Sequence, residues 1–499
     1  MSFSNSVIAP IINNIINFPR NNAFYINDVF YNYEEFGKEI SKIREKIKSL
    51  DTNSQFIGLI VNDDLQTYAA IISIWLEGKA YIPIHPNQPF KRNKKIIEQI
   101  GLKIILDSNK KTIFSGYSII NLNELKFKKN LLTFNKKISD EKILYILFTS
   151  GSTGNPKGVK INRKNISSFF DSFWSSGIKI NETDNCLQSF DLTFDVSLQT
   201  FLAPLIKGAC VFTVPHNQIK FSYIFGLLED HKISFGVIVP SLLRFLRPYF
   251  NEIILPKMKT CIITAEACSV ELALNWMKCI PNAQIYNYYG PTEATIYCTY
   301  YKLSKNENRE INGMLSIGRP MKNVQVIIVD EKFRVLPKGK KGELCLTGDQ
   351  ITPGYWKNSE KNKSSFFIKS YKGLNRRFYS TGDICSIEKD NLILLYGRLD
   401  SQIKIQGYRI EIGEIEFHSR EFLKKINTIV IPFEKKQNTE LAIFIESIKV
   451  DKKSFVNYLK TKLPLYMIPS KIFLLDLFPL NPNGKIDKIK LKKIIFNST

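Results

Sequence analysis

The 499-residue sequence predicts an α/β fold: a large N-terminal body of parallel-sheet subdomains with a small β-barrel-like subdomain, followed by a small α+β C-terminal domain. Three observations predict it. Short apolar runs recur between helix-length stretches, the texture turns to short β-like pieces after Ile317, and a mixed tail follows Leu399. Length alone asks for more than one core, because single cores stop growing at about 250–300 residues.

The runs come in order: FIGLIV at 56–61, KIIL at 103–106, ILYILFTS at 143–150, FGVIV at 235–239 and TCIITA at 260–265. Strands alternating with helix-length segments argue for parallel sheets. From Ile317, the pieces VQVIIVD, GELCLTG and LILLYGR are separated by turn residues and read as a mostly antiparallel region. The tail has the length of an ordinary small domain, about 100 residues. The expected boundaries are therefore 1–399 and 400–499.

Composition narrows the class. Hydrophobic residues at 44% and charged residues at 23% describe a soluble globular protein. No apolar run approaches the roughly 18 residues of a membrane span. The start, MSFSNSVIAPIINNIINFPRN, lacks a basic segment before an apolar run, so it is not a signal peptide and the expected compartment is cytoplasmic. Eight scattered cysteines form no CxxC pair or zinc spacing and read as reduced thiols in or near the core. The net charge of +24 comes from lysines spread along the chain, without a nucleic-acid-binding motif. It reads as compositional bias, with no nucleic acid and no membrane as partner; an acidic protein partner stays open.

Two segments carry chemistry. In Leu147-Phe-Thr-Ser-Gly-Ser-Thr-Gly-Asn-Pro-Lys-Gly-Val159 an apolar strand runs into hydroxyls and glycines and ends in a lysine. Glycines let backbone N–H groups approach a phosphate, hydroxyls donate to its oxygens, and lysine adds a point charge. It is not a Walker A loop, since Gly158 follows Lys157 where Ser or Thr is needed. The second segment, Tyr286-Asn-Tyr-Tyr-Gly-Pro-Thr-Glu-Ala-Thr295, gathers an amide, aromatics, a Gly-Pro turn, a hydroxyl and a carboxylate. Aromatics can stack on a base, and Glu293 can hold Mg²⁺.

With these motifs the chain resembles the adenylate-forming superfamily, which includes nonribosomal-peptide adenylation domains, D-alanine–carrier protein ligases, acyl-CoA synthetases and luciferases. Further motifs follow in family order: Lys79-Ala-Tyr-Ile-Pro-Ile-His85, Gly342-Glu-Leu-Cys-Leu-Thr-Gly348, Tyr379-Ser-Thr-Gly-Asp383, Gly397-Arg-Leu-Asp400, Lys404-Ile-Gln-Gly-Tyr-Arg-Ile-Glu411 and Pro482-Asn-Gly-Lys-Ile-Asp487. The amino-acid-activating branch fits best, through the Tyr-Gly-Pro-Thr-Glu and Asn-Gly-Lys-Ile-Asp runs.

The resemblance implies ATP and Mg²⁺ and assigns roles. Thr149, Ser150, Ser152, Thr153 and Lys157 line the loop over the phosphates. Asn287, Tyr288, Tyr289, Gly290, Pro291 and Thr292 form the AMP site, with Asn287 and Tyr289 on the adenine and Thr292 toward the α-phosphate. Glu293 holds the metal. Asp383 accepts from the ribose hydroxyls, with Arg398 and Tyr396 beside it. Lys485 is the catalytic residue, because carboxylate attack on the α-phosphorus crowds negative charge that an ammonium stabilises. Asp400 is the hinge about which the C-terminal domain turns between half-reactions. The Lys404–Glu411 segment, with Gly407, then admits a phosphopantetheine thiol.

The same resemblance defines the amino-acid pocket. Asp195 pairs with the α-ammonium, and a carboxylate buried there selects for an amine because an unpaired buried charge is costly. A helix N-cap is the alternative reading of Asp195, and Asp191 is the alternative match to the motif. Val196, Gln199, Val237, Ile262, Thr264, Tyr288, Ile296 and Tyr297 line the side-chain pocket, with Lys485 also at the substrate. No member besides Asp195 and Lys485 is charged, so a neutral side chain is expected. Asp195, Val196, Gln199 and Ile262 resemble proline-activating domains, while Thr264 and the two tyrosines depart from them and leave alanine as a rival. The expectation is a stand-alone enzyme that adenylates an amino acid, proline first, and loads a phosphopantetheinylated carrier protein, since little chain follows Lys485. The alternatives are a D-alanine–carrier protein ligase and an acyl- or aryl-CoA ligase. A non-catalytic basic binding protein is disfavoured by the motif set.

Overall fold

The apolar runs become strands of two sheets in the computed structural model, which describes residues 1–50, 54–109, 114, 116–134, 137–151, 154–216, 218–400, 402–424, 426–435, 438–447, 449–480 and 486–497. In a seven-stranded sheet Ile143–Thr149, Ala80–Ile84, Phe56–Ile60, Ile104–Asp107 and Ser118–Asn121 pair in parallel. In a nine-stranded sheet Gln284–Tyr289, Thr260–Ile263, Phe235–Ile238, Asn185–Gln188, Cys210–Thr213 and Asn22–Ile26 form the parallel centre. Strands buried on both faces read as unbroken apolar runs, which is why the sequence shows them. The helix Leu65–Leu76 is mostly apolar and buried along almost its whole length.

Side chains of the nine-stranded sheet alternate between two cores. Val237, Ile262, Tyr286 and Tyr288 share one cluster, while Ile238, Cys261, Ile263 and Ile285 fill the other. Period-two alternation thus decides which residues face the first cluster.

The region after Ile317 departs from the barrel-like expectation: it is an open five-stranded sheet. The 14-residue strand Leu374–Ile387 pairs with Gly342–Gly348 on one side. Its other edge is shared in succession by Phe366–Tyr371 and Ile393–Arg398. Among the described strands of this sheet Val324–Val329 pairs with Gly342–Gly348 alone and forms an edge, so the sheet does not close.

The chain divides into two compact units. One comprises Met1–Pro86, Ile100–Phe148 and Gly158–Leu399; the other comprises Asn87–Gln99, Thr149–Lys157 and Asp400–Thr499. The last division falls between Leu399 and Asp400, and two earlier segments group with the C-terminal unit. That unit holds the hairpin Gln402–Ile405 and Tyr408–Glu411, turned by Gln406 and Gly407, both at positive φ. Strands Thr428–Lys435, Asn438–Glu446 and Lys471–Leu475 form its sheet, beside helices Ile412–Phe422, Lys452–Lys460 and Lys488–Asn497. All eight cysteines are buried and unpaired. No described helix is long and apolar enough to cross a membrane.

Candidate active site

Ligands of open α/β sheets sit beyond the carboxyl ends of parallel strands. Asp191 and Asp195 follow the strand Asn185–Gln188, Thr264 follows Thr260–Ile263, and Gly290 to Thr292 follow Gln284–Tyr289. Asp195 immediately precedes the helix Val196–Lys207 yet makes no capping hydrogen bond, so the N-cap reading fails. Its Oδ2 is buried without any hydrogen-bond partner.

Asp191 is engaged elsewhere. His85 Nε2 lies 2.6 Å from its Oδ2, and Thr193 donates to its Oδ1 from N at 2.8 Å and Oγ1 at 2.6 Å. Burial opposes both charges, but the pairing outweighs it and holds Asp191 well below the carboxylate range while raising His85. Of the two aspartates, Asp195 is the one with a free oxygen.

Burial pushes the Asp195 carboxyl up to about 6, with Glu293 repelling it and the Thr292 hydroxyl and Ile296 N–H partly offsetting the rise. Tyr81, Tyr145 and Tyr297 are fully buried, and burial and then the Asp195 charge raise all three phenols. Val196, Val237, Ile262, Tyr288, Ile296 and Tyr297 belong to one buried cluster. Tyr288 and Tyr297 are 5.0 Å apart between ring centroids. The Thr264 hydroxyl donates to the Tyr288 carbonyl at 3.0 Å.

The turn from Gly290 to Tyr297 is tightly built. A Cβ on Gly290 would lie 2.5 Å from the Ile296 oxygen and 2.6 Å from the Tyr297 Cα, so only glycine fits. Thr295 and Ile296, both β-branched, sit at positive φ, a costly conformation that its surroundings must enforce. Gln350 does so: its buried Nε2 donates to the Tyr297 carbonyl at 2.7 Å and the Ala294 carbonyl at 3.3 Å, while its backbone carbonyl accepts from the Thr295 hydroxyl. Gly290→Ala is therefore expected to distort the turn and lower stability by about 1–3 kcal/mol, measured by thermal unfolding.

Residues assigned to the nucleotide converge in part. The Tyr289 hydroxyl donates to Asp383 Oδ2. Arg398, which faces Asp383 across paired strands, donates to Oδ1 at 2.7 Å. Asn287 points to the opposite face from Tyr288 and donates to the Ser316 carbonyl at 2.9 Å. Tyr396 lies under Lys341 Nζ, 4.0 Å from its ring centroid. Glu293 is 1% exposed and accepts from the Tyr355 hydroxyl at 2.7 Å. Among the described residues no three His, Cys, Asp or Glu side chains gather as a metal cage. One carboxylate, supplemented by phosphate oxygens and water, suits Mg²⁺.

In the C-terminal unit the Thr149–Lys157 loop already holds anions, and they are carboxylates. Gly151 N–H donates to Glu414 Oε2 at 3.0 Å and Lys157 Nζ to Glu411 Oε1 at 3.0 Å. The Ser150 hydroxyl donates to the Arg409 carbonyl at 3.0 Å and accepts from Glu411 N–H at 3.1 Å. Arg92 Nη1 pairs with Glu414 Oε1 at 2.6 Å with both side chains buried. Removing one partner of such a pair strands the other charge. Glu414→Ala is expected to destabilise the unit by about 3–5 kcal/mol, measured as a lower urea midpoint. Ser152, Thr153 and Lys485 lie outside the described residues.

A cleft of about 890 Å³ opens at the other end of these strands, lined by Lys179, Lys259, Lys302 and Arg319 among others. None of the assigned site residues lines it. Sequence reading missed Tyr81, Tyr145, Gln350 and Tyr355. Tyr81 lies within the Lys79–His85 motif, and that placement was its only signal.

The family model described as AMP-binding enzyme matches residues 14–356. The chain belongs to that family, a family of AMP-forming ligases within the adenylate-forming superfamily. It is 29% identical over 479 residues to the D-alanine–D-alanyl carrier protein ligase of Lactococcus lactis subsp. lactis (strain IL1403), covering 92% of this chain and 93% of that protein. It is 30% identical over 464 residues to bacitracin synthase 3 of Bacillus licheniformis, covering 89% of this chain and 7% of that protein. The chain spans less than a fifth of the large synthases it matches in this way. In fold it is similar to the Vibrio cholerae adenylation domain AlmE in complex with glycyl-adenosine-5'-phosphate, with a TM-score of 0.85, 21% identity and 97% of each chain covered.

Proposed function

We propose that the protein activates a neutral amino acid with ATP, forming the aminoacyl-adenylate and pyrophosphate, and passes the acyl group to the phosphopantetheine thiol of a carrier protein in the cytoplasm. The observation that carries this reading is Asp195, a buried carboxylate with one oxygen, Oδ2, that has no hydrogen-bond partner. A substrate ammonium answers it; a fatty or aryl acid leaves it stranded.

The substrate carboxylate is itself the nucleophile and attacks the α-phosphorus, so no enzyme nucleophile is required. The carboxylate–phosphorus bond forms as the bond to pyrophosphate breaks, and Lys485 and Lys157 stabilise the charge. Asp383, oriented by Arg398 and Tyr289, would accept the ribose hydroxyls. Glu293 would hold Mg²⁺, which neutralises phosphate oxygens. Rotation about Asp400 would then exchange the adenylating arrangement for the thiol-transfer one. In this reading Lys157 and Gly151 must leave Glu411 and Glu414 to meet phosphate.

The carrier partner is supported by the likeness to the D-alanyl carrier protein ligase along nearly its whole length. Proline and D- or L-alanine are the candidates that the resemblance supplies. A panel of twenty amino acids plus D-alanine, fatty acids and aryl acids in ATP–pyrophosphate exchange tests the reading. Amino-acid-dependent exchange is the expected result; exchange driven only by fatty or aryl acids would favour the acyl- or aryl-CoA ligase alternative.

A further inference from the structure

Both carboxylate oxygens of Asp191 are occupied, and each has a different task. Oδ1 accepts from the Thr193 N–H and hydroxyl, and the Asp191 carbonyl accepts from Phe194 N–H at 2.9 Å. Asp191 therefore shapes the turn that ends in Asp195. Its Oδ2 reaches out of that turn to His85 Nε2 at 2.6 Å, with the His85 side chain 13% exposed and that of Asp191 10%. His85 directly follows the strand Ala80–Ile84 of the seven-stranded sheet, whereas Asp191 follows Asn185–Gln188 of the nine-stranded one. The pair ties the turn of one sheet to the other.

The remaining braces of the turn are neutral. Gln188 Nε2 donates to the Phe190 carbonyl at 2.8 Å, and its Oε1 accepts from Phe190 N–H at 3.2 Å and from the Thr200 hydroxyl. Beyond Asp195, the Ser197 N–H and hydroxyl close on the Phe194 carbonyl at 3.1 and 2.6 Å. Other titratable groups surround the ionic pair. Asp63, after the strand Phe56–Ile60, accepts from the Tyr68 hydroxyl, and burial pushes its carboxyl up to about 7. Asp64 beside it accepts from the Ser108 hydroxyl. His216, after Cys210–Thr213, has its ring centroid 5.3 Å from that of His85 and donates from Nε2 to the Val61 carbonyl at 3.1 Å. Lys220, first in the helix Lys220–Asp230, adds a cation that Asp191 and Asp63 attract.

We propose that His85 is a positioning residue for the amino-acid site: through Asp191 its imidazolium latches the turn that presents Asp195, and loss of its proton loosens the grip on the substrate ammonium. The inference rests on the amino-acid reading of Asp195 and adds a proton-controlled hold to it. Burial lowers His85, but Asp191, by charge and hydrogen bond, and then Asp63 raise it above the ordinary 6.5. The latch is complete below pH 6.5 and is lost as pH rises through the raised value. Ionised Asp63 favours the imidazolium, while charge on His216 opposes it.

The test follows KM for the best amino acid in ATP–pyrophosphate exchange between about pH 6 and pH 9, in the wild type, His85→Gln, Asp191→Asn and His85→Lys. In the wild type KM is expected to rise about tenfold on the alkaline side, with KM for ATP constant within about twofold. His85→Gln and Asp191→Asn are expected to start at the raised KM and to lose that rise. His85→Lys keeps its cation to higher pH and is expected to hold KM low across the range, a rescue that a merely structural imidazole does not predict. Deprotonation of the substrate ammonium is common to all four proteins, so the comparison removes it. In an Asp195→Asn background His85→Gln is expected to add nothing, because the two act through one group. An alkaline rise that persists in His85→Gln, or additive losses in the Asp195→Asn background, would overturn the latch and leave amino-acid activation standing. Absence of exchange with every amino acid, alongside exchange with fatty or aryl acids, would instead remove the reading of Asp195 on which it rests. If the variants do not fold, the wild-type profile decides: a flat KM overturns the proposal, and a rise at constant KM for ATP supports it.

Discussion

Lys485→Ala is expected to reduce amino-acid-dependent pyrophosphate exchange by about 10²–10³-fold, with the loss in kcat rather than in KM. The expected loss is electrostatic in origin. A carboxylate attacking a phosphate that carries its own charge gathers negative charge in the transition state beyond that of the bound reactants. A cation positioned for that moment contributes little to ground-state binding and much to the barrier. Lys485 sits in the Asn-Gly-Lys-Ile-Asp frame of the C-terminal unit. In a sequence with 70 lysines and arginines, neighbouring tail lysines provide the control. Lys488→Ala and Lys490→Ala are expected to stay within twofold of the wild type. Steady-state exchange kinetics of the three variants decide the assignment, and near-wild-type exchange by Lys485→Ala removes it.

Asp195→Asn is expected to lose activity and gain stability. Without the anion the ammonium has no counter-charge, and losing one member of a buried charge pair costs about 2–5 kcal/mol, or about 30-fold to several thousandfold in kcat/KM. The stability effect has the opposite sign. The folded-state value of about 6 lies above the ordinary 3.8, so the folded protein binds this proton more tightly than the unfolded chain does. Stability from this group is fully present below pH 4 and is lost as pH rises toward 6. At neutral pH the asparagine variant, which has no such charge to bury, is expected to be more stable by up to about 3 kcal/mol. Catalysis runs the other way: kcat/KM for the amino acid is expected to fall below pH 6, as protonation removes the charge the ammonium needs. Thermal unfolding and kinetics of the same variant across pH 4–8 check both signs.

Much of this was legible in the sequence. The parallel strands announce themselves because burial on both faces writes unbroken apolar runs such as ILYILFT and TCII. The Tyr286–Thr295 run placed an aromatic, a tight turn and two polar groups where a strand ends, and the structure puts that turn beside Asp195. Asp191 differs from Asp195 by its partnership in space, since Asp191 is bound to His85, more than a hundred residues away in the chain. Contacts of that range leave no local periodicity. Gln350 gripping the 294–297 turn and Tyr355 on Glu293 were invisible for the same reason. The open sheet was misread as barrel-like because turn-separated β pieces do not reveal that one long strand serves three neighbours. Grouping of the Thr149–Lys157 segment with the tail depends on pairs such as Lys157–Glu411, which no composition shift marks.

The most direct test of the central claim, that Asp195 selects an amine for adenylation, is the ratio of kcat/KM for the best amino acid to that for its des-amino analogue, the same carboxylic acid without its α-nitrogen. Pyrophosphate exchange is predicted to favour the amino acid by about 10²-fold or more in the wild type, with that preference collapsing in Asp195→Asn. Equal exchange from the two acids in the wild-type protein would contradict it.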